Sequence, residues 1–169
     1  PVDILHDGFD CVIRTGALPE DGVIARPLGK LTMVNCASPH YLTRFGYPQS
    51  PDDLTSHAIV RYTPHLGVHP LGFEVASVNG VQWFKSGGML TVNSSENYLA
   101  AGLAGLGIIQ NPRIAVREAL RAGRLIEVLP GYRAEPLSLS LVYPQRRELS
   151  RRVNLFMQWL AGVMKEHLD

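Results

Sequence analysis

The spacing of hydrophobic positions changes along the chain, and each change predicts a separate element. Strict alternation at Leu137, Leu139 and Leu141 is typical of a β-strand with one buried face. From Ser150 onward the apolar residues recur at 3-4-3 spacing, which predicts a helix with one apolar face. We expect this helix to pack beside residues 1 to 16. The face that we expect it to bury consists of Val153, Phe156, Leu160 and Val163.

Between the two ends of the chain, extended and helical patterns alternate. Ser38-Pro39 predicts the start of a short helix that ends at Gly46, and Asn79-Gly80 predicts a β-hairpin. A second helix is predicted from Glu96 to about Ala104, and a third is expected to end at Gly123. The remaining apolar runs predict strands at 11–16, 23–29, 31–38, 58–62, 89–92 and 124–130. Strands that alternate with helices indicate an α/β fold.

Composition narrows the class of protein without changing that fold prediction. The chain has 169 residues, of which 46% are hydrophobic and 18% charged, and these values are typical of a globular protein. Its length suits one domain or two small lobes. A net charge of +1 gives no electrostatic footprint for nucleic acid. Neither a membrane-spanning run nor a secretory signal pattern is present, so we expect no membrane association.

The two cysteines, Cys11 and Cys36, both lie within apolar, strand-like runs. They form no CxxC motif and no dense disulfide framework, so we expect a reducing, cytoplasmic location. Both are predicted to be buried thiols that behave as small hydrophobic side chains.

The three glycines Gly102, Gly105 and Gly107 form an array that superficially suggests a nucleotide-binding loop. A dinucleotide fingerprint requires a strand, then the glycine turn, then a helix, because the pyrophosphate lies on the helix N-terminus. Here the helix precedes most of the glycines, and Gly107 is expected at the helix C-cap. The array therefore argues against nucleotide binding.

The opposite end of the same helix carries three good N-cap residues, Asn93, Ser94 and Ser95. Their simplest role is to cap the helix. Unpaired N–H groups and the helix dipole also favour an anion such as a carboxylate at this position. The residues themselves leave both interpretations open.

Motifs for catalysis or metal binding are weak. His65 and His69 have HxxxH spacing, but Pro64, Gly67 and Pro70 oppose a helix there. The chain has no GxSxG, SxxK or HExxH motif. We therefore expect no enzyme activity, no cofactor and no metal.

Four phrases in order carry a family resemblance: DGFDCVIRTGALPEDGVIARPLG, ASPHYLTRFGYPQSPDDLTSH, NSSENYLAAGLAGLGIIQNP and GRLIEVLPGYRAEPLSLSLVYPQRRELSRRVNLFMQWL. Together they resemble the effector-binding domain of a LysR-type transcriptional regulator. The resemblance implies an α/β, two-lobed, periplasmic-binding-protein-like (type 2) fold whose lobe I is incomplete at its N-terminus. Lobe I is expected to comprise residues 1–34 and 137–169, and lobe II residues 35–136.

The resemblance also implies a function. A small metabolite, which we expect to bear a carboxylate, is expected to bind in the cleft between the lobes and to modulate transcription. DNA contact is expected only through a winged helix-turn-helix that is absent from this chain, and the regulator is expected to be a homodimer or tetramer. The alternative is an exported solute-binding protein of the same fold.

The resemblance further implies which residues contact the effector. The helix that begins near Ser94 is expected to present its N-terminus to the cleft, although Glu96 in its first turn could repel an anion. The expected effector-binding residues are Arg14, Thr15, Gly16, Ala37, Ser38, Ser94, Ser95, Glu96, Gly107 and Ile108.

Overall fold

Two compact units make up the molecule in the computed structural model, which describes residues 8–16, 22–63, 72–145, 149–166 and 168. The first unit comprises Pro1–Thr32 together with Pro136–Asp169, and the second comprises Met33–Glu135. The chain therefore passes between them twice, after Thr32 and after Glu135.

The described chain contains both strands and helices, in an order in which runs of strands are separated by helices. The strands are β1 (Val12–Thr15), β2 (Val23–Leu31), β3 (Met33–Ala37), β4 (Ala58–Tyr62), β5 (Phe73–Ser77), β6 (Gly80–Phe84), β7 (Gly87–Val92), β8 (Ile109–Pro112), β9 (Ile126–Glu127) and β10 (Leu137–Pro144). The helices are α1 (Pro39–Phe45), α2 (Ser95–Leu103), α3 (Arg113–Arg121) and α4 (Arg151–Met164), with a 3₁₀ helix at Pro51–Ser56.

The first unit is built on an antiparallel sheet in the order β1-β10-β2. β10 lies in the middle, and its residues 139–142 are all buried, including Ser140. The alternating leucines correctly predict a strand, but burial extends to both faces of its central part. β10 enters the sheet directly after the second passage between the units, with Leu137 paired to Leu31 of β2.

Helix α4 begins where it was predicted, because the Ser150 hydroxyl accepts a hydrogen bond from the Val153 N–H. The predicted buried face is wrong in part. Phe156 is 48% exposed and Val163 is 42% exposed, whereas Met157 is buried. The covered stripe runs through Val153, Met157, Leu160 and Met164.

Periodicity could not choose between these two stripes of α4, because apolar side chains occupy more than one side of the helix. The N-terminal half of α4 faces residues 10 and 11, which belong to the segment expected beside it. Arg152 and Phe156 line an open pocket of about 470 Å³ together with Asp10 and Cys11. Residues 1–7, which were also expected beside this helix, lie outside the described part.

In the second unit, the direction of the strands fixes which residues share an end of the sheet. β4 and β7 are parallel, and the bridge between Ile59 and Ile108 runs parallel as well. β3 is antiparallel to β8, with Met33 opposite Pro112. This bridge joins the sheet β8-β3-β9 to the sheet β4-β7, so the carboxyl ends of β4, β7 and β8 lie at the end where β3 begins.

Strand β3 is buried on both faces, and each face contributes to a different hydrophobic cluster. Val34 and Cys36 pack with α2 and α3, and Ala37 packs with α1. The predicted strand at 124–130 is reduced to the two residues of β9, because the chain turns at Leu129, where φ is +49°. The Asn79-Gly80 hairpin is confirmed, with Ser77 paired to Gly80.

The glycine that ends α2 is not the predicted one. Gly105, with φ +78°, occupies the left-handed position after the helix, so the prediction of Gly107 at the C-cap is wrong. The Leu106 N–H donates to the Ala101 carbonyl at 3.0 Å, and the Gly105 N–H donates to the Gly102 carbonyl at 3.1 Å. These two bonds are those of a Schellman motif.

The two cysteines differ in burial. Cys36 is fully buried, and burial raises the pKa of its thiol to about 12, with a smaller contribution from the Glu127 carboxylate. Cys11 is half-buried, so the prediction that both thiols are buried is confirmed for Cys36 alone. Both are free thiols.

Candidate functional site

The N-terminus of α2 is formed by the serine that immediately precedes the helix. The Ser94 hydroxyl accepts a hydrogen bond from the Asn97 N–H at 3.3 Å, and the Ser94 carbonyl accepts from the Tyr98 N–H at 2.9 Å. The structure therefore selects Ser94 as the N-cap among the three candidates of the sequence. Because β7 ends at Val92, this helix start lies at the carboxyl end of the parallel strands.

Glu96 already places a carboxylate at this helix start. The Ser94 hydroxyl donates to Glu96 Oε2 at 2.6 Å. This bond, followed by one from the backbone N–H of Glu96 itself, lowers the pKa of the Glu96 carboxyl. The Glu96 carboxylate therefore already uses hydrogen-bond donors at this helix start.

Two residues at the end of β4 lie beside this helix start, and sequence analysis missed them. Tyr62 is paired in register with Val92, and its ring lies 5.7 Å from that of Tyr98, measured between centroids. The neighbouring Thr63 is buried, and its N–H donates to the Val92 carbonyl at 2.9 Å. The available signal was the rule that ligands bind at the carboxyl ends of parallel strands.

Tyr62 gives this end of the second unit an accessible aromatic surface. The residue is 44% exposed, so its ring is partly available to a bound molecule. An aromatic ring next to hydroxyl and carboxylate groups can bind the apolar part of a small ligand while the polar groups fix its orientation.

Arg14, Thr15 and Gly16 lie together at the end of β1 in the first unit. Thr15 pairs with Leu139, and the Gly16 N–H donates to the Ser138 carbonyl at 2.9 Å. Gly16 has φ +77°, a left-handed conformation that favours glycine. These residues lie next to the start of β10, where the chain enters the first unit after its second passage.

Four other predicted site residues lie at the opposite end of the sheet from Ser94. Ala37 is the last residue of β3 and Ser38 follows it. Gly107 and Ile108 precede the start of β8, which pairs with that end of β3. Ser38 caps α1 by accepting from the Tyr41 N–H at 3.2 Å, and Ile108 is fully buried. A small molecule at the α2 N-terminus is therefore not positioned to contact these four residues.

The reason for this separation is the antiparallel direction of β3. Ile108 also uses both backbone groups, because its N–H donates to the Ala58 carbonyl and its carbonyl accepts from the Val60 N–H. A side chain at Gly107 would place its Cβ 2.6 Å from the Ala58 carbonyl oxygen. Gly107 thus permits close packing of two backbones.

Among the residues that the structure describes, no three His, Cys, Asp or Glu side chains form a possible metal site. His65 and His69 lie outside the described ranges. Within those same ranges, no helix is both long enough and apolar enough to cross a membrane.

Comparison with known proteins assigns the chain to a family. The family model described as the LysR substrate binding domain matches residues 1–165. Among solved structures, the regulatory domain of CrgA, a LysR-type transcriptional regulator from Neisseria meningitidis, is similar with a TM-score of 0.81 at 25% identity. That likeness covers 95% of this chain and 78% of the CrgA chain. The predicted fold, α/β and of the two-lobed periplasmic-binding-protein-like type, is confirmed by these similarities.

Relatives among the curated proteins are HTH-type transcriptional regulators. The chain is 98% identical over 169 residues to YhjC of Escherichia coli (strain K12), and the match covers all of this chain and 56% of YhjC. It is 34% identical over 167 residues to the transcriptional repressor PA14_22550 of Pseudomonas aeruginosa, covering 98% of this chain and 52% of the repressor.

The chain thus spans about half the length of the curated relatives that it matches. These relatives are regulators, and they give no support to the alternative of a solute-binding protein. The chain belongs to the LysR substrate-binding domain family.

Proposed function

We propose that this domain senses a small molecule at the N-terminus of α2. The observation that carries the proposal is the grouping of Ser94, Ser95 and Glu96 with the exposed ring of Tyr62 at the carboxyl ends of parallel strands. This grouping combines polar groups that can orient a ligand with an apolar surface that can be covered by it.

We further propose that the effector bears a carboxylate. The donors that now hold the Glu96 carboxylate are equally suited to a ligand carboxylate, and the helix dipole favours either one. Glu96 is exposed, so its side chain can turn away into solvent when a ligand carboxylate takes its place. Glu96 then acts as a built-in competitor that weakens anion binding.

In the first unit, we propose Arg14, Thr15 and Gly16 as additional effector contacts. An arginine can bind a carboxylate through two parallel N–H donors. The support is their common position at the end of β1, together with the family resemblance. Ala37, Ser38, Gly107 and Ile108 form no part of the proposed site.

At the level of the whole regulator, we propose that this domain acts by binding rather than by catalysis, in a cytoplasmic homo-oligomer that contacts DNA through a separate domain. The chain itself carries a net charge of only +1. Because phosphate contacts supply most non-specific affinity for DNA, we expect negligible binding of duplex DNA by this domain. Tight binding that weakens with added salt would argue against this assignment.

The carboxylate proposal is tested by calorimetry on the full-length regulator with a set of small carboxylates (acetate, succinate and benzoate) and their uncharged amides. Glu96→Gln removes the competing charge and Ser95→Asp adds one. We expect the affinity for a carboxylate to rise about 2- to 5-fold in the first variant and to fall by a similar factor in the second, since such charges are each worth about 0.3–1 kcal/mol.

Glu118→Gln is the matched control, because Glu118 is an exposed glutamate on α3, away from the α2 N-terminus. We expect it to leave affinity unchanged. If Glu96→Gln and Ser95→Asp behave like this control, the effector binds elsewhere. A preference for the uncharged amides, lost in Glu96→Gln, would instead identify Glu96 as a direct acceptor for a neutral ligand.

A further inference from the structure

A partly buried hydrogen-bond network connects helix α2 to the strands beside it. The Gln110 N–H donates to the Tyr98 hydroxyl at 2.9 Å, so β8 is tied to the helix. The Gln110 side-chain amide donates to Asn35 Oδ1 at 2.9 Å and to the Glu74 carbonyl at 2.8 Å. Its oxygen accepts from the Glu74 N–H at 3.0 Å. One glutamine therefore joins α2, β3, β5 and β8.

Asn35 extends this network to the segment that follows β9. Its amide group donates to the Leu129 carbonyl at 3.2 Å and to the Tyr132 carbonyl at 2.8 Å, and its backbone carbonyl accepts from the Val128 N–H at 2.9 Å. The Asn35 side chain is fully buried. Both amide groups, on Asn35 and on Gln110, thus use both donors and the acceptor oxygen.

The network includes residues close to the two points where the chain enters and leaves the second unit. Asn35 lies two residues after Met33, where the chain enters the second unit, and residues 128–135 are the last segment before it leaves. Ser94 and Glu96 lie in the first turn of α2 next to Tyr98, whose N–H donates to the Ser94 carbonyl at 2.9 Å. The network therefore connects the helix of the proposed site to both segments through which the second unit is continuous with the first.

We infer that Tyr98, Gln110 and Asn35 are positioning residues that couple the α2 helix to both connecting segments. This inference rests on the proposed function for the identity of the input, the occupation of the α2 N-terminus. Physically, the coupling arises because each member of a fully satisfied network fixes the next one, and removal of one member leaves its partners unsatisfied. A shift of α2 is then transmitted to Asn35 and to residues 128–135.

Hydrogen exchange of the full-length regulator without any ligand tests the coupling, and the chain offers a matched pair of variants. Tyr98→Phe removes a buried hydroxyl that accepts the Gln110 N–H at 2.9 Å. Tyr41→Phe removes a buried hydroxyl that accepts the Ala58 N–H at the same 2.9 Å, outside the network. The two changes delete the same atom from the same residue type in the same unit.

We expect Tyr98→Phe to accelerate exchange of the Val128 amide and of the Ala76 amide, which donates to the Arg133 carbonyl, by roughly 5- to 30-fold. Tyr41→Phe is expected to leave both amides unchanged while its own partner Ala58 exchanges faster. Gln110→Met, which keeps the length of the side chain, should reproduce the effect of Tyr98→Phe.

Equal effects of the two tyrosine variants on Val128 and Ala76 would overturn the inference, because they would reflect a general loss of stability. The result is independent of the effector experiment. If no carboxylate binds at α2 but Tyr98→Phe acts selectively, the coupling stands and the proposed site fails. If a carboxylate binds and Tyr98→Phe has no selective effect, the site stands and the coupling fails.

Discussion

Gly105 and Gly123 offer a direct test of how the turn after α2 is packed. Both occupy the left-handed position after a helix, with φ +78° and +66°, and both close a Schellman motif. They differ in their surroundings. A Cβ at Gly105 would lie 3.1 Å from the Ser38 hydroxyl oxygen and 3.3 Å from His40 Cδ2. Apart from its two chain neighbours, no described residue has an atom within 4 Å of a Cβ at Gly123.

The expected cost of an alanine follows from these two facts. In either position the left-handed conformation costs an L-residue about 1–2 kcal/mol. At Gly105 the methyl group also pushes on the Ser38 hydroxyl, which caps α1 by accepting from the Tyr41 N–H at 3.2 Å. Weakening that cap adds about 1 kcal/mol. Gly105→Ala should therefore destabilise the protein by about 2–3 kcal/mol, and Gly123→Ala by about 1–2 kcal/mol.

Calorimetric unfolding of the two variants and the parent protein measures this difference. An additional 1 kcal/mol corresponds to a further fall in Tm of about 2–4 °C for a protein of this size. Equal Tm values for Gly105→Ala and Gly123→Ala would refute the argument that the α2 turn packs tightly against Ser38. The double variant Ser38→Ala/Gly105→Ala should lose less stability than the sum of the losses in the two single variants, Ser38→Ala and Gly105→Ala. The reason is that both changes act on the same cap.

Two further predictions concern stability. His57 is buried with its Nδ1 3.1 Å from the Tyr41 hydroxyl, and burial lowers its pKa despite the opposing charge of Asp53. The unfolded chain therefore binds the proton more readily, and the free energy of unfolding should fall as the pH drops below about 6.5. Urea titrations at several pH values should show this trend in the parent protein and a flatter one in His57→Gln. Phe73→Ala, at a fully buried position, should cost about 3–5 kcal/mol, whereas Val78→Ser at the exposed hairpin tip should change the free energy of unfolding by less than about 0.5 kcal/mol in the same titrations.

Features that depend on a few neighbouring residues could be predicted from the sequence alone. Ser38-Pro39 and Ser150 begin their helices, and Asn79-Gly80 forms its hairpin, because each depends on bonds to N–H groups or on turn geometry within about four residues. The four phrases that resemble the LysR family identified the domain correctly, and the family match over residues 1–165 confirms it.

The position of a residue relative to distant parts of the chain was decided by the tertiary structure. Ser38 and Ser94 both follow strands and both cap helices, yet they lie at opposite ends of the strands. The reason is that β3 runs antiparallel to β8, which is bridged in parallel to β4. Strand direction depends on pairing between segments more than 70 residues apart in sequence, as with Asn35 and Gln110. No local pattern records it.

The same reason explains the other differences between sequence and structure. The 3-4-3 spacing of α4 identified a helix, but the choice of Met157 over Phe156 for the covered stripe depends on what packs against the helix. Likewise, Asn35 and Gln110 are ordinary polar residues in the sequence. They become a satisfied, partly buried network only when four separate segments of the chain bring their donors and acceptors within about 3 Å, and that is a property of the fold.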